Sequence, residues 1–155
     1  MVSEGSTIHA TAVLIGAKAV LIRGPSGTGK SSLAWELIQI SGTGTLPFAR
    51  LIGDDRVPIE TAGGRLLVRP AAKLAGLIEI HGLGIRLLPH EPLAAVGLVV
   101  DLAAADAARL PAPEATETAI SGIVLPRLTV AAGARALPLV LAWLGTAAGP
   151  PPSAN

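Results

Sequence analysis

Short apolar blocks, cut by glycines and turn residues, run through the first half of the chain. Thr11 to Ile15 and Ala19 to Ile22 are β-branched runs separated by Gly16-Ala17-Lys18, a pattern that predicts strand, turn and strand. Gly24 to Gly29 is a glycine loop, and from Lys30 to Ile40 the apolar period lengthens. Leu33, Leu37 and Ile40, with Ala34 and Ile38, fall on one face of a helix. Ser41-Gly42-Thr43-Gly44-Thr45 ends that helix in a loop.

Arg50 to Ile52 reads as a short strand closing on Gly53-Asp54-Asp55. Val57 to Glu60 and Arg65 to Val68 flank Thr61-Ala62-Gly63-Gly64, which predicts a hairpin. Leu77 to Ile80 is a strand, followed by the turn His81-Gly82-Leu83-Gly84. Val96 to Leu102 is almost unbroken in its apolarity, as in a strand buried on both faces. Ala103 to Thr118, rich in alanine, proline and acids, reads as a partly helical surface excursion. Ile123 to Val130 is a strand whose Pro126 calls for a sheet edge or a bulge. Ala136 to Leu144 is helical in character, with Pro138 in its first turn. The sum is one mixed α/β domain with a central sheet over residues 1–148, then a proline-rich tail over residues 149–155, read as disordered.

Composition raises one question. Half of the 155 residues are apolar and only 15% are charged, and mean hydropathy is +0.59. A spanning helix needs roughly 20 apolar residues in a row. Lys18 and Arg23 interrupt the first apolar region, Leu93 to Val100 stops at Asp101, and Ala136 to Ala148 carries Pro138. The opening MVSEGST lacks the basic-then-apolar order of a signal peptide. With no cysteine for disulfides or thiolate metal sites, a cytoplasmic protein is expected. The apolar excess is expected to be covered in an oligomer. Net charge is +1, no basic run occurs and aromatics are 2%, which argues against nucleic acid as a partner.

The chemistry concentrates in Gly24-Pro25-Ser26-Gly27-Thr28-Gly29-Lys30-Ser31, a match to G-x-x-x-x-G-K-[ST]. Glycines let backbone N–H groups turn inward around a phosphate, and the helix that follows aims its positive end at the anion. Lys30 is expected to neutralise the outer phosphates and the Ser31 hydroxyl to hold Mg²⁺, with Ser32 completing the loop. Downstream, Asp54-Asp55 sits at a strand end. There a phosphotransferase needs one carboxylate for the metal and one base for the acceptor proton. Glu79 interrupts an apolar strand just before the His81-Gly82-Leu83-Gly84 turn. Arg127 and Arg135 flank a late glycine-containing loop from which a cation could reach a transferring phosphoryl group. His9 alone reads as a surface residue, and His90 as part of a loop.

The order of these segments resembles the catalytic domain of the HPr serine kinase/phosphorylase family. The likeness runs from Ile8-His9-Ala10-Thr11 through Val20-Leu21-Ile22 and the phosphate loop to Leu51-Ile52-Gly53-Asp54-Asp55-Arg56-Val57. It continues in Leu77-Ile78-Glu79-Ile80-His81-Gly82-Leu83-Gly84-Ile85 and Leu125-Pro126-Arg127-Leu128-Thr129-Val130, covering roughly residues 6 to 145. It implies a fold like that of phosphoenolpyruvate carboxykinase, in a shortened form without the family's N-terminal domain. The implied activity is ATP-dependent phosphorylation of a serine of HPr, the phosphocarrier of the sugar phosphotransferase system. Reversal by inorganic phosphate and a hexameric assembly are implied with it. Carried over, Asp54 is the base with His9 beside it, Ser31, Asp55 and Glu79 serve the metal, and Arg135 is the cation of the late loop. His81 stands where the family usually has arginine, and Ala131-Ala132 replaces a Pro-Val type pair.

Two other readings stay open. A small-molecule P-loop kinase would carry an arginine-rich lid, whereas Ala103 to Thr118 offers only Arg109. A nucleotide- or phosphate-sensing module would keep the loop without turnover.

Overall fold

The computed structural model describes residues 6–150. Strands β1 (Ser6–Ile8), β2 (Thr11–Ile15) and β3 (Lys18–Arg23) lead into the phosphate loop and helix α1 (Lys30–Ser41). There follow β4 (Ala49–Gly53), β5 (Val57–Ala62), β6 (Arg65–Val68), β7 (Leu77–Ile80), β8 (Gly84–Leu87), β9 (Ala94–Leu102), β10 (Glu117–Ile120), β11 (Ile123–Val130) and helix α2 (Ala136–Gly145).

The main sheet runs in the order β1-β5-β6-β9-β3-β2-β4, and β11 joins β9 and carries β10 on its far side. β9 is its hub. Its first residues pair with β6, its length pairs with β3, and its last residues pair with β11. β3, β9 and β11 are mutually parallel. β2 is antiparallel to both β3 and β4, so β4 points the same way as β3. Four strands therefore end on one side of the molecule. Loops beyond the carboxyl ends of parallel strands are where α/β folds place ligands.

The sheet curls because it has two apolar faces to cover. One carries α1 and α2, with Leu33, Leu37, Val20, Ile22, Leu98, Val100 and Val140 in its core. The other folds β5, β6, β10 and β11 over Leu21, Ile52, Val99, Leu66 and Leu125. Leu37 and Leu51 are wholly inaccessible, and each such side chain contributes about 1.5–3 kcal/mol of burial. The apolar run of β9 is thus explained by cover on both faces. Among the described residues no helix is long and apolar enough to cross a membrane.

Three strands lie outside the expected pattern. β1 pairs with β5, and the turn after β7 opens directly into β8. The excursion from Ala103 is not α-helical; it closes with a 3-10 turn, Pro113–Thr116, that feeds β10. Pro126 sits where β11 changes partners. Residues 123–126 pair with β10 and residues 127–130 with β9, so the missing N–H falls at the handover. Pro138 is in the first turn of α2. The expected tail falls mainly on residues 151–155, outside the described residues.

Candidate functional site

The phosphate loop forms the turn between β3 and α1. Gly24 has φ 155°, and a Cβ there would meet Thr28 Oγ1 at 2.7 Å and Leu102 Cβ at 3.1 Å, so only glycine fits. Gly27 and Gly29 have φ of 82° and 96°. Thr28 ties the loop to itself through Oγ1, which donates to the Pro25 carbonyl at 2.6 Å. Lys30 is only 7% exposed, and its Nζ donates to the carbonyls of Gly24 at 2.8 Å and Pro25 at 3.2 Å. The ammonium is therefore held across the mouth of the loop. Gly29 caps α1, whose free N–H groups and dipole face the same opening.

β4 delivers the two aspartates, and the backbone sends them in different directions. A Cβ on Gly53 would come within 2.6 Å of Val57 Cγ1, so the strand ends in close contact with β5. Asp54 turns inward and is 7% exposed. Its Oδ1 accepts from Ser31 Oγ at 2.6 Å and Thr11 Oγ1 at 2.8 Å, and its Oδ2 accepts from the Glu79 N–H at 3.0 Å. This one carboxylate joins the first turn of α1, β2 and β7. Asp55 sits at φ 67° in a tight turn closed by the Arg56 N–H on the Asp54 carbonyl at 2.7 Å, a strained form rarely adopted. That turn throws its side chain outward, 74% exposed, where Oδ1 meets His9 Nε2 at 2.9 Å. The Ala10 N–H donates to the Asp55 carbonyl at 3.1 Å and keeps His9 beside it.

Two cavities meet across the loop. One, of about 430 Å³, is lined by Ser26, Lys30, Ser31, Asp55, Glu79 and His81. The other, of about 470 Å³, is lined by Thr28, Leu33, Glu36, Leu102 and Ala103, by the late loop Val130 to Arg135, and by Leu137 at the start of α2. Gly27, Gly29 and Ser32 line both. The structure thus gathers the whole loop Gly24 to Ser32, Asp54, Asp55, Glu79 and His9 at one end of the sheet, and places Arg135 at the wall of the larger cavity.

Arg127 is not available to a phosphoryl group. Its Nε donates to Asp101 Oδ2 and its Nη1 to Asp106 Oδ2, both at 2.6 Å. The Asp106 hydrogen bond and then Asp101, against the effect of burial, push the Arg127 guanidinium further above its ordinary value. Burial acts to raise the Asp101 carboxyl, and hydrogen bonds from Arg23 and Arg127 outweigh it, leaving Asp101 below the usual carboxylate range. Asp106 is lowered chiefly by its hydrogen bond to Arg127. Thr11, wholly buried, is a site residue the pattern did not flag. Its only signal is a hydroxyl at the head of an aliphatic run.

The model of the HPr Serine kinase C-terminal domain matches residues 1–88, more than half of the chain. The chain belongs to this family. HPr kinase/phosphorylase of an Exiguobacterium species is 42% identical over 81 residues, and that of Streptococcus thermophilus is 39% identical over 84. These matches cover 52% and 54% of this chain but only 24% and 25% of the relatives. The matched stretch thus spans about a quarter of the length of these relatives. The solved Hpr(Ser) kinase/phosphatase from Coxiella burnetii superposes with a TM-score of 0.70 at 25% identity, over 88% of this chain and 86% of that one. The shared fold, a curled mixed sheet, therefore extends well past residue 88.

Proposed function

We propose that this domain transfers the γ-phosphoryl group of ATP to a serine hydroxyl of HPr or an HPr-like carrier. The observation that carries the reading is the pair of cavities meeting on the phosphate loop, one walled by Leu33, Leu102 and Leu137 and one by Asp55 and Glu79. The polyphosphate lies along the loop between them. The nucleoside occupies the larger cavity, between Leu33, Leu102 and Leu137, whose volume suits a ligand of that size. The acceptor serine enters the other.

Transfer forms a bond between the serine oxygen and the γ-phosphorus and breaks the bond to the bridging oxygen, releasing ADP. The serine proton needs a base on the acceptor side. The family resemblance implied that role for Asp54. The geometry favours Asp55. Its carboxylate is exposed, lines the acceptor cavity and is oriented by His9, whereas Asp54 is buried and already accepts from three donors. Lys30 leaves its carbonyl partners to neutralise charge on the outer phosphates. Ser31 and Asp54 offer hard oxygens 2.6 Å apart, a set that suits Mg²⁺, which binds through one or two carboxylates plus substrate phosphates. Glu79 stands close by on the cavity wall. Mg²⁺ held there by Ser31 and Asp54 would supply charge neutralisation for the transferred phosphoryl group. Arg135 serves the nucleotide from the late loop.

A sensing module without turnover is a second reading. Lys30 and Arg135 are the only fixed cations lining the two cavities among the described residues, a thin supply for a phosphoryl transition state. Incubation of purified protein with γ-labelled ATP, Mg²⁺ and HPr tests both. Label on HPr, lost in Lys30→Ala, supports the kinase. ATP binding with no label on HPr supports the sensor, and label appearing only on metabolites would overturn both.

A further inference from the structure

Three strand ends build the larger cavity, and a single carboxylate ties them together. Asp101, near the end of β9, is flanked in register by Arg23 of β3 and Thr129 of β11. Arg23 grips it with both prongs, Nε to Oδ1 and Nη2 to Oδ2, each at 2.7 Å. Arg127 of β11 donates to Oδ2 at 2.6 Å and, with its other nitrogens, holds Asp106 and the Ala115 carbonyl. The side chain of Asp101 is only 14% exposed. A charge cluster this dry offers little net stability over an apolar one, because desolvation offsets the attraction. What it does supply is geometry, since two planar guanidinium forks fix both the separation and the rotation of their strands.

The residues just past the cluster lead into the cavity, and Leu102, Ala103 and Val130 line it. Arg23 is followed by Gly24, the first residue of the phosphate loop. Asp101 is followed by Leu102, which packs against Gly24, and by Ala103, which turns out of the sheet at φ 53°. Thr129 is followed by Val130, whose carbonyl accepts from the Ala104 N–H at 3.0 Å, and then by the loop to Arg135. The cluster lies on the face of β9 turned away from α1, the face of Val99, and none of Arg23, Asp101 and Arg127 lines the cavity.

We infer that Asp101 is a positioning residue that, through Arg23 and Arg127, sets the late loop against the phosphate loop and so shapes the nucleoside half of the site. The inference rests on the proposal that the nucleoside occupies this cavity. The phosphate half depends on it much less, because Thr28 and Lys30 are anchored within the loop, on Pro25 and Gly24, and Ser31 on Asp54 at the end of β4, outside the cluster. Selectivity for a nucleotide over a bare polyphosphate therefore depends on Asp101.

Calorimetric titration with Mg²⁺ and either a non-hydrolysable ATP analogue or inorganic tripolyphosphate reads this directly. Wild type should bind the analogue more tightly than tripolyphosphate. Asp101→Asn should lose about tenfold or more in analogue affinity, the range typical of lost supporting contacts, and keep tripolyphosphate affinity within about twofold. Arg127→Lys keeps the charge but cannot span Asp101 and Asp106. It should shift the ratio the same way and serves if Asp101→Asn does not fold. Circular dichroism and melting establish which variants are folded. An unchanged ratio in the folded variants, or equal losses for both ligands, would overturn the positioning role. A wild type that does not prefer the nucleotide would instead remove the nucleoside assignment, and this inference with it.

Discussion

Exchanging each aspartate of the pair for asparagine separates the two jobs that the geometry divides between them. Asp54 is buried and binds two hydroxyls and a backbone N–H. Hydrogen bonds to a charged acceptor are worth about 1.5–3 kcal/mol and neutral ones about 0.5–1.5. Asparagine also turns one oxygen into a donor. Facing Glu79 N–H, that donor is repelled; facing Ser31 and Thr11, it forces both hydroxyls to reverse. The net cost is about 2–3 kcal/mol, and in a domain of this size each kcal/mol lowers Tm by about 2–4 °C. Asp54→Asn should therefore melt about 5–10 °C below wild type. Asp55 loses only one exposed contact, to His9, and asparagine tolerates its left-handed turn. Asp55→Asn should melt within about 2 °C of wild type yet transfer phosphate to HPr about a hundredfold or more slower, the usual contribution of a general base. The assays are thermal melting by circular dichroism and initial rates of label transfer. Wild-type turnover by Asp55→Asn would refute the assignment of the base, and a wild-type Tm for Asp54→Asn would refute the account of its three hydrogen bonds.

Other outcomes follow from the same contacts. Gly53→Ala should destabilise by about 1–3 kcal/mol, since its Cβ meets Val57 Cγ1; Val57→Ala in the same chain should recover much of the loss in chemical denaturation. Gly24→Ala should abolish binding of ATP, measured by calorimetry, because φ 155° and contacts with Thr28 and Leu102 forbid the side chain. Thr11→Val keeps the shape of a buried residue but withdraws one donor from Asp54, which should cost about 1–2 kcal/mol in urea unfolding. Acid should expose the Arg127 cluster. Asp101 and Asp106 are held below the usual carboxylate range when folded. Their contribution is therefore present above the unfolded value of about 3.9 and lost as pH falls through the folded values. The Tm gap between wild type and Arg127→Met should accordingly shrink as pH drops from 6 to 3, and a constant gap would contradict it.

Much of the fold could be read from local pattern because local pattern causes it. The β2–β3 turn, the loop and α1, the β5–β6 hairpin, and the buried run of β9 all rest on periodicity or glycine placement within a few residues. The strands that escaped are those without such a signal. β1 is three residues paired with a partner some fifty positions away, and β8 is only four residues, whose alternating Ile85 and Leu87 stay exposed. β10 buries only Ile120. In the site, the phosphate loop and the aspartate pair were legible as residues, but their division of labour was not. That depends on the turn at Asp55, which sends one carboxylate inward and the other out. Arg127 looked like a spare cation because its partners lie 26 and 21 positions away, a distance at which sequence spacing carries no geometry.

A crystal structure of the domain grown with HPr, Mg²⁺ and a non-hydrolysable ATP analogue tests the central claim most directly. The phosphates should follow the amides of Gly24 to Ser31 with Lys30 turned onto them, the base between Leu33 and Leu137, and the acceptor serine beside Asp55 and His9. Nucleotide bound elsewhere, or a serine approaching from the far side of the loop away from Asp55, would contradict the account.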